Sequence, residues 1–187
     1  PALERSASAR VVTVSSAAAY FPDIAAILAK FLPATWLPNG ASVELDYSKH
    51  LRADSESSYN PAVAYGRSKL ANVLFARALS RRFAGKKIYS NAVNPGGIAT
   101  NLQRHVLDRL SHASLASFLT SLAEAVQDHL LMEPRDGAVT QLYLATSPEV
   151  EAQDIRGQFY RPQAKLAKLP SFATEELEER LWKLSEE

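Results

Sequence analysis

The sequence predicts an α/β fold built on a parallel sheet, and three observations carry that reading. Two short runs, residues 11–14 and 87–93, have the apolar and β-branched character of buried strands. A segment with helical spacing lies between them, over 62–83, and the same alternation of helix and strand is repeated toward residue 160. Strands joined through helices are connected by crossovers, and crossovers make neighbouring strands parallel.

Val11-Val12-Thr13-Val14 is closed by Ser15-Ser16, the pattern of a strand covered on both faces. Residues 17–60 read as an insertion between this strand and the next helix. It holds one helical patch (23–31), Pro33, Pro38-Asn39-Gly40 and a polar stretch over 48–60. Connections of that length inside a compact domain are unusual and are usually functional or mobile. Pro61 suits a first helical turn, where its missing N–H has no partner to lose. Leu70, Val73, Leu74, Ala78 and Leu79 then recur at helical spacing, and Gly85 stands where a helix-ending glycine belongs. Ile88, Tyr89, Ala92 and Val93 mark the second strand, which runs into Asn94-Pro95-Gly96-Gly97. Residues 100–113 are polar and basic, 115–131 and 137–145 have helical spacing, and Gly157-Gln158-Phe159-Tyr160 reads as a third strand. Over 175–184 an acidic amphipathic helix places Leu177, Leu181 and Leu184 on one face, with Trp182 expected to dock on the body.

Composition narrows the function classes. A length of 187 residues fits one domain. Lys and Arg total 21 against 20 Asp and Glu, so there is no cationic excess of the kind nucleic acid or an anionic membrane surface selects. With no cysteine, disulfides, thiol nucleophiles and thiolate metal sites are excluded. His50, His105, His112 and His129 show no ligand spacing, and no metal is expected. The longest apolar stretch, 24–37, is interrupted by Lys30 and Pro33 and falls short of the roughly 20 residues a spanning helix needs. A cytoplasmic protein without predicted membrane association is the expectation.

The chemistry gathers around three segments. Tyr65 and Lys69 are four residues apart in the central helix, hence on one face, one turn above the other. Such a pair alone is commonly a surface contact. It gains weight from Ser16, delivered at the carboxyl end of the first strand, where open α/β sheets place their ligands. The third segment is Val93-Asn94-Pro95-Gly96-Gly97-Ile98-Ala99-Thr100, a strand followed by a turn that brings backbone close to a ligand. A Ser/Lys hydrolase is excluded, since neither G-x-S-x-G nor S-x-x-K occurs.

Strand-Ser, helix-Tyr/Lys and strand-Pro-Gly in this order resemble the short-chain dehydrogenase/reductase family. The wording of Ala64-Tyr65-Gly66-Arg67-Ser68-Lys69-Leu70-Ala71-Asn72, with Leu45-Asp46-Tyr47 in the insertion, is similar to its retinol-dehydrogenase and WW-domain-oxidoreductase branch. The resemblance implies an NAD(P)(H)-dependent oxidoreductase interconverting a hydrophobic alcohol and its carbonyl, with NADP(H) slightly ahead of NAD(H). It assigns Tyr65 as general acid/base and Lys69 as its modulator and a ligand of the nicotinamide ribose. It matches Ser16 to the substrate oxygen and Ser15 to a structural position. Pro95, Gly96, Gly97 and Thr100 match the segment lining the nicotinamide. The physics is consistent with those roles. A tyrosine titrates near ~10, and an ammonium one turn away favours its phenolate, which suits proton exchange with a carbonyl oxygen. A serine hydroxyl on the same oxygen would hold it in register.

The same resemblance exposes a gap. The family's opening Gly-rich turn, T-G-x-x-x-G-x-G, cradles the pyrophosphate. Here the glycines fall at 40, 66, 85, 96, 97, 137 and 157, and no such cluster exists. The family's N-N-A-G segment and its catalytic asparagine are absent too. The implied architecture is the C-terminal part of a doubly wound Rossmann-type parallel sheet, three strands with flanking helices, lacking the N-terminal nucleotide-binding half. Residues 1–187 are then one partial domain, with 1–8 the tail of a preceding helix. The first strand would present an open apolar edge, and the chain alone would be inactive. The 62–84 helix is expected to serve as a homodimer face. The alternative is a non-catalytic truncated paralogue acting as an interaction module. Arg104, His105 and Arg109 read as a solvated face, and Trp36 and Phe118 as either pocket lining or core.

Overall fold

The computed structural model describes residues 2–20, 61–98 and 132–186. In chain order these form α1 (Ala2–Arg5), β1 (Ala9–Val14), a 3-10 turn (Ala17–Tyr20), α2 (Pro61–Arg82), β2 (Ile88–Val93), α3 (Pro134–Thr146), α4 (Glu149–Ala152), β3 (Phe159–Arg161), β4 (Lys165–Leu166) and α5 (Glu175–Glu186). The helices expected over 23–31 and 115–131, and the insertion beyond residue 20, lie outside the described residues. So do Trp36, Phe118 and the basic segment 100–113.

The strands make one open sheet in the order β1-β2-β3-β4. β1 and β2 run parallel, in register from Ala9 opposite Ile88 to Val14 opposite Val93. β3 joins parallel to β2, with Phe159 opposite Ala92. The expectation of three strands is corrected by β4, which pairs antiparallel with β3. Two residues, Lys165 and Leu166, both exposed, are too few to show an alternating pattern; a turn over 162–164 folds them back. α3 also starts earlier than expected, at Pro134 rather than residue 137, with proline in its first turn.

Every residue of β2 is buried, because helices cover both sheet faces. A strand in that position needs no polar face, which is why its sequence reads as nearly continuous apolar. Ala92 packs with Val73, Ala76, Ala19 and Phe159 on the α2 side. Tyr89 and Val93 pack with Leu144, Val150 and Tyr160 on the α3 side. Two buried polar residues, Ser90 and Asn91, interrupt it; the Asn91 carboxamide is satisfied at both ends: Nδ2 donates to the Ile155 carbonyl at 2.9 Å and Oδ1 accepts from Gln158 N–H at 3.0 Å. Ala9 and Ser15 direct their N–H groups to Lys87 and Val93 carbonyls of the β2 side at 2.8 and 2.7 Å. Alternation then turns the backbone groups of Arg10, Val12 and Val14 outward, and among the described residues no strand pairs with them.

α5 lies along α2. Leu177 closes on Leu70 and Leu74, and Trp182 docks as expected, its ring stacked on Phe75 with centroids 6.1 Å apart and planes 4° from parallel. Arg82 covers the indole at 4.4 Å. Between the two helices Glu178 is fully buried, with Arg77 Nε at 2.5 Å from one carboxylate oxygen and Arg81 Nη2 at 2.7 Å from the other. Among the described residues no helix is long and apolar enough to cross a membrane.

The turn before β4 holds two successive left-handed residues, Gln163 (φ 64°) and Ala164 (φ 51°), a region that side chains with a Cβ adopt at about 1–2 kcal/mol each. The turn is fastened by Thr140, buried in α3, whose Oγ1 accepts from Ala164 N–H at 3.1 Å. Gln163→Gly removes the crowding at an exposed position, at the cost of a more flexible unfolded chain. A net gain of up to about 1 kcal/mol is expected, read as a higher urea midpoint at unchanged slope; an unchanged or lower midpoint would show the turn to be unstrained.

Candidate active site

Because β1 and β2 are parallel and end in register at Val14 and Val93, Ser15-Ser16 and Asn94-Pro95-Gly96 leave the sheet side by side at its carboxyl edge. α2 is pinned to the same edge by two hydrogen bonds that run in opposite directions. The buried Ser15 hydroxyl donates to the Lys69 carbonyl at 2.6 Å. Asn72 Nδ2 donates to the Val14 carbonyl at 2.9 Å. Going back along α2 from Asn72 through Lys69 to Tyr65, the helix therefore passes the end of β1 and carries Tyr65 beyond it.

Tyr65 and Lys69 keep the relation their spacing requires, with Lys69 Nζ 5.4 Å from the Tyr65 ring centroid. Tyr65 is 46% exposed. The other described tyrosines are engaged or enclosed. Tyr20 donates to the Lys168 carbonyl, and Tyr89 is buried. Burial pushes the Tyr160 phenol above its ordinary range. Tyr143 is raised too, first by burial and then by the bond it donates to Glu149 at 3.0 Å. Among these, Tyr65 is the phenol presented to solvent beside a cation.

Ser16 is partly exposed. Its Oγ accepts the Ala18 N–H at 3.2 Å, and its carbonyl accepts the Ala19 N–H at 3.0 Å, so the residue opens the 3-10 turn. A hydroxyl that accepts one bond still has its own proton to give. On the β2 side, Asn94 N–H is held by the Tyr160 carbonyl at 2.7 Å, and its Oδ1 accepts Gly96 N–H at 3.0 Å. Gly96 sits at φ 90°, and a Cβ there would stand 2.7 Å from Pro162 Cγ. Only glycine fits both the angle and the approach. Gly97 and Ile98 tie this segment to Met132, through a 2.9 Å bond from Met132 N–H to the Gly97 carbonyl and a parallel bridge between Ile98 and Met132. Thr100 lies outside the described residues. Among the described residues no group of His, Cys, Asp or Glu could hold a metal ion.

The elements bearing Ser16, Tyr65, Lys69, Pro95, Gly96 and Gly97 thus converge on one sheet edge. Asn72 is the contributor that the sequence reading missed. Its signal was present: an amide three residues after Lys69, on the same helical face.

No family model matches the chain. Among curated proteins, human retinol dehydrogenase 14 is 38% identical over 133 residues, 71% of this chain and 37% of that protein. The human WW domain-containing oxidoreductase is 32% identical over 183 residues, 97% of this chain and 37% of that one. The chain belongs to the short-chain dehydrogenase/reductase family. Human polyprenol dehydrogenase adds 31% identity over 181 residues, 95% of this chain and 44% of that protein. This short-chain dehydrogenase/reductase chain therefore spans well under half the length of the relatives it matches.

Proposed function

We propose that this chain supplies the proton-transfer side of an NAD(P)(H)-dependent oxidoreductase interconverting a hydrophobic alcohol and its carbonyl, and that by itself it does not hold the dinucleotide. The observation that carries the reading is the Tyr65–Lys69 pair, standing on one face of α2 beyond the carboxyl end of β1, in a chain of this family. In the carbonyl-reducing direction Tyr65 gives its phenolic proton to the carbonyl oxygen and takes it back from the alcohol in the other. Lys69 stands beside that phenol, its Nζ 5.4 Å from the ring centroid, and Ser16 donates to the same oxygen, fixing its position. The nucleotide supplies or accepts a hydride when bound.

The residues present fit that group in part. Lys69 offers three donors to a ribose hydroxyl; Pro95, Gly96, Gly97 and Thr100 are assigned here by resemblance. Nothing in the sequence matches the turn that would hold the pyrophosphate. No feature of the site favours NADP(H) over NAD(H).

Titration of the purified chain with NADPH and NADH, by nicotinamide fluorescence and thermal shift, tests this. Tyr65→Phe and Lys69→Ala are titrated alongside. No saturable binding below millimolar nucleotide is expected. Micromolar binding weakened by Lys69→Ala would overturn the incomplete-site half of the proposal. Aldehyde reduction would then be assayed, and turnover that survives in Tyr65→Phe would overturn the acid/base half, since such a group is worth about 10²–10⁴-fold.

A further inference from the structure

The bond from Asn72 to β1 has a role beyond tying two elements together. Val14 is the last residue of β1 and its carbonyl points outward, away from β2, where among the described residues no strand pairs with it. Asn72 Nδ2 takes that carbonyl at 2.9 Å, while the next residue, Ser15, returns a bond to the Lys69 carbonyl at 2.6 Å. The peptide that leads directly into Ser16 is therefore gripped on both sides by the turn of α2 that carries Lys69. Ser15 N–H is anchored as well, to the Val93 carbonyl at 2.7 Å. Downstream, Ser16 is fixed through the 3-10 turn it opens. The strand end is held by these bonds.

We infer that Asn72 is a positioning residue: by holding the Val14 carbonyl it sets where the Ser16 hydroxyl stands relative to Lys69 and Tyr65. This rests on the functional reading above for the purpose of the placement, but its physical content is independent of it. Asn72 touches no reacting atom. Being partly exposed on a well-packed helix, it can be replaced without opening the core.

The test is residue-resolved amide hydrogen exchange on the 187-residue chain, comparing wild type with Asn72→Ala and Asn72→Asp. The aspartate keeps the side-chain shape but has no N–H to donate. Both variants are expected to speed exchange of the Ala18 and Ala19 amides about tenfold, the scale set by one net hydrogen bond. Amides of Leu74 in α2 and Ala92 in β2 are expected to be unchanged. Asn72→Ser, which retains a donor, is expected to recover part of the protection. Exchange at Ala18 and Ala19 within twofold of wild type in both variants would overturn the inference. So would normal exchange in Asn72→Asp alone, because shape rather than donation would then be responsible. Uniform acceleration of all these amides would also overturn it, leaving Asn72 a residue of general stability. No nucleotide enters the measurement, so its failure would leave the proton-transfer reading standing, and failure of that reading would leave this result standing.

Discussion

Glu178→Ala is expected to destabilise the chain by about 3–5 kcal/mol, the range for removing one partner of a buried ion cluster. The carboxylate is wholly enclosed and meets two guanidiniums, Arg77 at 2.5 Å and Arg81 at 2.7 Å. Alanine leaves both cations facing a cavity. Arg81 keeps its contact with the exposed Glu175 at 3.0 Å, and it can swing toward solvent. Arg77, only 22% exposed, has less room to do so and is expected to account for most of the loss. Set against a total stability of about 5–15 kcal/mol, the change moves the urea midpoint far. The cluster need not itself be a source of stability, because desolvating three charges offsets much of their attraction. The combination Arg77→Met, Glu178→Leu, Arg81→Met is therefore expected to fall within about 2 kcal/mol of wild type. A loss below about 1 kcal/mol for Glu178→Ala would mean that α5 does not sit on α2 in solution.

Gly96→Ala carries the second large effect, about 2–4 kcal/mol, from two sources that can be separated. The backbone angle of 90° costs any L-residue about 1–2 kcal/mol. The new methyl would also stand 2.7 Å from Pro162 Cγ and 3.2 Å from Met132 Sδ. Met132 can move aside; the proline ring is stiff, and it belongs to the turn that Thr140 fastens. Overpacking of this kind adds about 1–3 kcal/mol. Adding Pro162→Ala to Gly96→Ala should return the steric part and leave the angular part, as seen in paired urea melts. If the second substitution recovers nothing, the turn over Gly96 is not where the structure places it.

How much of this was legible in the sequence depends on the range of the interaction. β1 and β2 were readable as short apolar and β-branched runs, and α2 because its apolar residues recur at helical spacing along its length. The Tyr65–Lys69 relation was readable because four residues in a helix leave no geometric freedom. Gly85 was readable as a helix end and has the expected left-handed angle, φ 84°. What failed to show were contacts made by single residues across the chain. Glu178 sits in a run of acidic residues that looks solvated, and nothing local says that Arg77, 101 residues earlier, removes it from water. β4 is too short to have a period. The Ser15 bond to the Lys69 backbone and the Asn72 bond to Val14 each join residues more than fifty positions apart, and a hydroxyl or amide carries no mark of its partner.

The separation of Arg77 from Glu178 also sets a clock. At a translation rate of about 5–20 residues per second, the arginines of α2 leave the ribosome roughly 5–20 s before the carboxylate that will neutralise them is made. Leu70 and Leu74 wait just as long for Leu177. For those seconds a nascent chain displays a strip of leucine bordered by arginine, an adhesive surface for anything acidic and greasy nearby. The last helix is thus the segment that ends this exposure, and slowing its synthesis with rare codons after residue 146 should lengthen the period in which the newborn protein is held by chaperones.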